Sequence, residues 1–400
     1  MADAAAILRW ERADAAARPE RLARFRARLA EASVDAWFGV RRESSRYLTG
    51  FRLGEGEEKV AGVSGQILVS ADEVVLLADS RYRVQALEEA PESRLEEVYG
   101  DLPQRWPDLL SSLRPIRGGD PGRIRRVGAE AGAIPHAVWE RLADAAPDVE
   151  LVPLDGLLEG LRAVKEPAEV ERIAAACAVA DGALERLLPA IRPGVTEAEL
   201  ALALEWEMRT HGAEALAFDV ACLAGPRAAL PHGSPGDRPV RAGEVLLFDF
   251  GAQVAGYRSD MTRTLFVGEP TPRDRALHRL VADAQEAAFR ALAAAAAAGR
   301  VPTNREIDAA ARDLIAAAGH GERFGHGLGH GIGLATHETP SIGRRAAEAP
   351  LPVPSVFSVE PGVYLDGETG VRIEDLVLFD PAAHRLERLT AFPREWTVVG

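Results

Sequence analysis

The segment Glu244-Val-Leu-Leu-Phe-Asp-Phe-Gly251 is an apolar run that ends on an acid, and Tyr257-Arg-Ser-Asp-Met-Thr-Arg-Thr264 follows it with a second acid. Runs of this length and composition read as strands. Gly251 and Gly256 lie between Asp249 and Asp260. A hairpin turning near Val254–Ala255 would bring the two carboxylates together across its ladder. The arrangement recurs downstream. Glu360 stands in Ser358-Val-Glu-Pro-Gly362 and Glu374 in Gly370-Val-Arg-Ile-Glu-Asp375, with the turn-rich Asp366-Gly-Glu-Thr-Gly370 between them. A second hairpin would pair these two glutamates.

Four carboxylates converging on apolar strands cannot all be ionised unless cations neutralise them. Oxygen donors suit divalent ions such as Mn²⁺ or Mg²⁺, and an added imidazole favours Mn, Co, Fe or Zn over Ca. Imidazoles are at hand in Gly325-His-Gly-Leu-Gly-His-Gly-Ile-Gly-Leu-Ala-Thr-His-Glu338, where His326, His330 and His337 crowd a glycine-rich stretch. The glycines permit close backbone approach. Two metals bridged by carboxylates would sit ~3.5–4 Å apart and share a hydroxide as nucleophile.

The rest of the chain sets the context. Its 400 residues are 47% hydrophobic, enough for a sizeable core, and the length suggests two or three domains. The net charge of −14 repels phosphate backbones and anionic lipid, which excludes nucleic acid and membrane surfaces as expected partners. Cys177 and Cys222 are too few for a disulfide scaffold and read as buried thiols of a cytoplasmic protein. The opening residues carry acids and no long apolar core, unlike a signal peptide.

The first half alternates helix and strand patterns. A helix is expected over 19–32, a strand in VDAWFGV, and a hairpin in QILVSADEVVLLA turning at Ser70–Asp72. Asp79 or Ser80 should cap a following helix, and further strands fit near 95–98 and 126–129. Near residue 160 the texture changes to a short helix, a break at Glu166–Pro167 and a long helix. Thr196 with Glu199 has the capping-box pattern, and two more helices fit at about 272–297 and 303–318. The expected fold is α+β: an N-terminal α/β domain over 1–158, then an α+β catalytic domain over 159–400.

Taken in order, YLTGF, DSRY, LRAVKEPAEVERI, LFDFG, SDMTRT, HGLGHGIGLATHE, VEPGVY and VRIED resemble the pita-bread metallopeptidases. That group comprises Xaa-Pro aminopeptidases, prolidases, methionine aminopeptidases and the metal-free creatinases. The resemblance covers essentially the whole chain, and the first-half segments are similar to the two-domain proline peptidases. It implies a creatinase-like N-terminal domain and a pita-bread catalytic domain. Thr336 departs from the pattern, which usually has a branched aliphatic residue there.

The resemblance also implies a dinuclear site, most simply with Mn²⁺, or with Co²⁺ or Zn²⁺. Asp249 would chelate one metal, Asp260 and Glu374 would bridge both, and His330 and Glu360 would complete the second metal's shell. Creatinases lack these ligands. Glu360 would also shuttle the proton. His337 would meet the substrate at the scissile bond, His232 would be a second active-site histidine, and His326 would line the proline side. Arg372 would contact the substrate or orient a ligand, and Thr262 and Arg263 would support Asp260. Phe218 and Tyr257 stay open between pocket and core, and helix-start packing is favoured for Arg81 and Tyr82. The implied activity is that of an Xaa-Pro aminopeptidase acting on peptides with proline second, with an Xaa-Pro dipeptidase as the near alternative and an inactive peptide-binding relative behind both. A homodimer is expected, and the N-terminal domain is expected to restrict substrate length.

Overall fold

The structure, a computed structural model, describes residues 4–53 and 63–400. The chain divides into two compact units. One is Glu11–Leu161; the other is Arg162–Gly400 with the residues up to Trp10.

The N-terminal unit is built on a mixed six-stranded sheet. Its strands are β1 (Ala36–Gly39), β2 (Gln66–Val69), β3 (Val74–Ala78), β4 (Arg94–Glu97), β5 (Arg126–Ala129) and β6 (Glu150–Pro153), in the spatial order β4-β3-β2-β1-β5-β6. The β2–β3 hairpin closes where Val69 faces Val74, with the Ser70 amide donating to the Glu73 carbonyl. Asp79 accepts from the Arg81 amide and caps a single 3₁₀ turn before the helix Arg83–Glu89. The Arg81 guanidinium folds back on the same Asp79 carboxylate at 2.6 Å. Phe38, Leu68, Leu77, Trp106 and Val127 form part of the core between sheet and helices.

The expected start of the first helix at Pro19 is corrected. The helix runs Ala4–Glu31 with Pro19 inside it. Proline removes one internal hydrogen bond, but the preceding residues are mostly alanine, arginine and leucine, strong helix formers. The early turns also carry Trp10, which is buried in the core of the second unit and donates its indole N–H to Glu171.

A short helix (Leu157–Arg162) ends on the residue that opens the second unit's main stretch, and Glu166 then begins the long helix Pro167–Leu187 with a capping box closed by Glu169. Thr196 and Glu199 form a second box at the head of Glu197–Thr210. The strands follow: β7 (Ala215–Leu216), β8 (Ala221–Ala224), β9 (Val245–Phe250), β10 (Ala252–Val254), β11 (Tyr257–Arg258) and β12 (Met261–Val267). Helices Pro272–Ala297 and Asn304–Ala317 come next. Then come β13 (Gly329–Gly331), β14 (Glu338–Ile342), β15 (Ser355–Val359), β16 (Gly362–Leu365), β17 (Thr369–Arg372), β18 (Asp375–Asp380), β19 (Arg385–Arg388) and β20 (Val398–Val399). The two main sheets, β20-β12-β9-β8 and β14-β13-β15-β18-β19, are antiparallel apart from the parallel β12–β20 pair. Each packs on its own helices: Phe248 and Phe250 under Ala180 and Leu204, Phe357 and Phe379 under Leu277, Val281 and Ile307. This is the pita-bread arrangement of helices packed on antiparallel sheets. Cys177 and Cys222 are buried free thiols, and among the described residues no helix is long and apolar enough to cross a membrane.

Candidate metal centre

The first acid pair is set by a hairpin. Asp249 in β9 faces Thr262 in β12, and Asp260 immediately precedes β12. The ladder continues as β10–β11 and turns at Ala255–Gly256, whose φ values of +47° and +82° suit a tight hairpin of the strand-compatible hand. At Gly251 a Cβ would lie 1.9 Å from the Ser259 carbonyl oxygen, so only glycine lets the strand pass this close beside Asp260.

The second pair sits where a strand pair splits. Val359 faces Asp375 in the β15–β18 ladder and Gly362 faces Arg372 in the β16–β17 ladder, so Glu360 and Glu374 are opposed in the gap between them. The Glu360 amide donates to the Leu328 carbonyl at 2.8 Å and the Glu374 amide to the Thr262 carbonyl at 3.1 Å, tying this gap to the residue before β13 and to β12. Strand β13 presses in through Gly329, where a Cβ would meet the Ser358 carbonyl at 1.9 Å. That approach brings His330 Nε2 to 3.4 Å from Glu360 Oε1 and 3.6 Å from Asp260 Oδ2. Ligand atoms of Asp260, His330 and Glu374 all lie within 4.8 Å of one another.

Electrostatics mark the cluster as short of positive charge. Burial first, then mutual repulsion among Glu374, Asp249 and Glu360, pushes the Asp260 carboxyl well above its ordinary range. Glu374 is driven the same way by burial and by Glu360 and Asp249, and Glu360 is raised by burial. Asp249 Oδ1, Asp260 Oδ1 and Glu374 Oε1 are buried and have no hydrogen-bond partner in the protein. Buried carboxylate oxygens left without donors are costly, and a divalent cation is the group that satisfies several at once. His330 is prepared for the same task. Its Nδ1 lies 3.1 Å from the Gly331 carbonyl, which leaves Nε2 as the lone-pair nitrogen facing the acids, and burial lowers the pKa of the ring. The donor set fits a divalent metal.

Around this group the remaining residues take distinct places. His337 is exposed, and its ring lies 4.2 Å, centroid to centroid, from that of His330. Burial, then His330, lowers its pKa, and His232, exposed on its own loop, adds to that effect. The acids therefore form the floor and these two imidazoles the open rim. His326 lies deeper. Its Nδ1 is 2.8 Å from the Gly327 carbonyl and its Nε2 3.0 Å from the Tyr364 hydroxyl, with Phe324 edge-on to the ring.

Arg372 is buried and its donors are engaged. Nη2 reaches Asp249 Oδ2 at 2.5 Å, Nη1 reaches the Tyr364 hydroxyl at 2.9 Å and the Pro231 carbonyl at 3.4 Å, and Nε reaches Thr262 Oγ1 at 2.8 Å. It is placed to hold Asp249 rather than to reach outward. Thr262 and Arg263 support Glu374, not Asp260 as expected. Thr262 Oγ1 donates to Glu374 Oε2 at 2.7 Å, and Arg263 Nη1 donates to the Glu374 carbonyl at 2.6 Å. The cause is register, since the Glu374 amide pairs with Thr262 across the two sheets. Thr336 uses its hydroxyl, donating to the Ala217 carbonyl and accepting from Arg258. Tyr257 is a core residue whose hydroxyl donates to Glu169.

Three neighbours escaped the sequence reading. Tyr364 links His326 to Arg372, and its place two and four residues beyond Gly362 and Glu360 on an alternating run was an available signal. Ser358 accepts from the His330 amide and donates to Glu360 Oε1. Glu338, next to His337, is paired in the interior with Arg162 and Lys165. Ser358 has no local signature, and Glu338, which closes the HGLGHGIGLATHE segment, has none that tells of Arg162 and Lys165.

Comparison with known proteins agrees with this geometry. Residues 171–381 match metallopeptidase family M24, and residues 21–164 match the creatinase/prolidase N-terminal domain. An uncharacterized peptidase of Bacillus subtilis (strain 168) is 32% identical over 95% of this chain and 100% of its own length. Among solved structures, an Xaa-Pro dipeptidase from Bacillus anthracis superposes with a TM-score of 0.82 at 32% identity, covering 95% of this chain and 99% of that one. An X-Pro aminopeptidase from Thermotoga maritima MSB8 superposes at 0.80 with 34% identity, covering 94% and 99%. The floor of acids, the imidazole beside them and a family match over more than half of the residues lead to one assignment: this chain is a metal-dependent hydrolase belonging to metallopeptidase family M24.

Proposed function

We propose that the enzyme is an Xaa-Pro aminopeptidase that removes an N-terminal residue preceding proline, using two divalent ions, most simply Mn²⁺. The observation that carries the reading is the carboxylate floor with three partnerless oxygens under an imidazole rim. Asp249, Asp260, His330, Glu360 and Glu374 would hold the ions. Such ions supply Lewis-acid polarisation of the carbonyl and a water acidified toward neutrality. An X–Pro bond is a tertiary amide without an N–H, so a site that works on its carbonyl oxygen suits it better than one that grips the amide hydrogen.

The residues divide the work. The Glu360 carboxylate, oriented by Ser358, takes a proton from the attacking water and returns it to the departing proline nitrogen. The C–O bond forms first as the carbonyl π pair moves onto its oxygen, and the C–N bond breaks afterwards, when C=O re-forms and the proline nitrogen takes the proton. His337, at the rim and with its pKa lowered by burial and by His330, donates an N–H to the developing oxyanion. His232 flanks it on the open side, and His326, backed by the buried Phe324 and Tyr364 rings, offers an aromatic wall for the proline ring. Arg372 keeps Asp249 in place. We further propose a homodimer in the cytoplasm, with no nucleic-acid or membrane partner.

Arg372 also bears on substrate length. Its guanidinium is 4% exposed and already engaged, so it is not a free receptor for the carboxylate of a terminal proline. That favours tripeptides and longer peptides. The dipeptidase reading is the second one, favoured by the similarity to the Bacillus anthracis Xaa-Pro dipeptidase. The test compares rates on Ala-Pro, Ala-Pro-Ala and a longer peptide beginning Ala-Pro at matched Mn²⁺. Release of free alanine from the longer peptides at rates above the dipeptide's is expected; exclusive hydrolysis of Ala-Pro would make the enzyme a dipeptidase.

A further inference from the structure

The gap between the two ladders that presents Glu360 and Glu374 has a backbone consequence. Where β15–β18 gives way to β16–β17, the Ile373 amide donates to the Pro361 carbonyl but Pro361 has no N–H to return, so the Ile373 carbonyl lacks its ladder donor, and the Val359 carbonyl stands at the last pair of the β15–β18 ladder, opposite Asp375. Each is the carbonyl immediately preceding one of the two glutamates. Both are caught by a single side chain. Gln285, fully buried on the helix Pro272–Ala297, directs Nε2 to the Val359 carbonyl at 3.0 Å, the Ile373 carbonyl at 3.2 Å and Asp375 Oδ2 at 2.9 Å. Its Oε1 faces Arg394 Nη1 at 3.4 Å. The amide has one sensible orientation, because a flip would set an oxygen against three oxygens.

We propose that Gln285 is a positioning residue that fixes the separation of Glu360 and Glu374, and through it the affinity of the centre for metal. The proposal rests on the reading that these glutamates are metal ligands. One amide bound to both strands holds the two carbonyls at a common distance from the helix. The glutamates follow because each is joined to its held carbonyl by one peptide plane. Arg263 adds a bond to the Glu374 carbonyl from the opposite sheet but touches only one of the two strands near the gap. Gln285 spans both.

Thr390 supplies the control. It is equally buried and donates to the same Asp375, at 2.6 Å through Oδ1, but makes no bond to Val359 or Ile373. The experiment is calorimetric titration of the full, metal-stripped chain with Mn²⁺ at a temperature where every variant is folded, for wild type, Gln285→Met and Thr390→Val. Loss of a group that orients metal ligands typically weakens metal binding roughly 10- to 100-fold. That loss is expected for Gln285→Met, with Thr390→Val staying within about twofold of wild type although it too lowers the melting temperature. Wild-type affinity in Gln285→Met, or an equal loss in both variants, overturns the proposal. Should Gln285→Met not fold, Gln285→Asn serves: it keeps the amide but withdraws it by one methylene, so weakened binding is again expected, and unchanged binding refutes the idea. A wild-type protein that takes up no metal would sink the metal-centre reading itself, which is a different result.

Discussion

Glu338 offers a test that the structure makes quantitative. Its side chain is 3% exposed, and its two cationic partners, Arg162 and Lys165, are 4% and 1% exposed. Lys165 Nζ lies 3.1 Å from Oε2, and the Ala335 amide donates to Oε1 at 2.8 Å. Burial alone would raise this carboxyl. Arg162 and Lys165 overcome it, with help from the amide, and hold it down at about 2. Glu338→Ala would leave two buried cations without their anion. Removing one partner of a buried ion pair costs about 3–5 kcal/mol. For a unit of this size each kcal/mol shifts the melting temperature by ~2–4 °C, so a fall of about 6–20 °C is expected. Lys165→Met should cost less, since Arg162 and Glu338 remain paired. Because Glu338 directly follows His337, kcat should fall in the folded protein as well. Since its folded pKa lies below the ordinary 4.5, the stabilisation is present above that value and is lost as the pH falls through about 2. Calorimetry at pH 7 is the assay. A melting temperature for Glu338→Ala within about 2 °C of wild type would refute the reasoning.

Other expectations concern the centre itself. Glu360→Gln should keep much of its metal yet lose most turnover, because an amide cannot act as a base; near-normal turnover with bound metal would reassign the base. His337→Ala should lower kcat by roughly 10²–10³, the effect of losing one oxyanion donor, with metal content retained; unchanged kcat with lost metal would make it a ligand instead. The raised carboxyls of Asp260, Glu374 and Glu360 give a sign for the metal-free protein. Above the ordinary carboxylate range and below their raised values, the folded state binds more protons than the unfolded one, so stability should fall as pH rises through that window. Mn²⁺ should remove this trend, and a metal-stripped melting temperature that climbs across the same window relative to Asp260→Asn would contradict it.

What the sequence makes legible here is local. Asp249 and Asp260 are readable because a short apolar run, two glycines and a second run announce a hairpin. Glu360 and Glu374 flank an equally plain turn. The Thr196 capping box, the proline at 167 and the Ser70 turn are set by neighbours a few positions away, and the structure shows each of them. The unread features join distant residues. Gln285 meets carbonyls 74 and 88 positions onward, and Glu338 meets Lys165 across 173. A glutamine amid alanines on a helix carries no sign of the strand gap it fills. The acid nearest to Thr262 and Arg263 in the chain is Asp260, whereas sheet register gives them Glu374. Pro19 looked like a helix start because its role there is common; the buried Trp10 upstream, which no periodicity announces, accompanies an earlier start.

The central claim is that hydrolysis depends on metal held by Asp249, Asp260, His330, Glu360 and Glu374. The most direct measurement is turnover of Ala-Pro-Ala against Mn²⁺ content per chain, determined by elemental analysis on the same samples of stripped and reconstituted protein. The account predicts no turnover in the stripped protein, alanine as the released product, and a plateau at two ions per chain. Full turnover in stripped protein, or a plateau below one ion per chain, would contradict it.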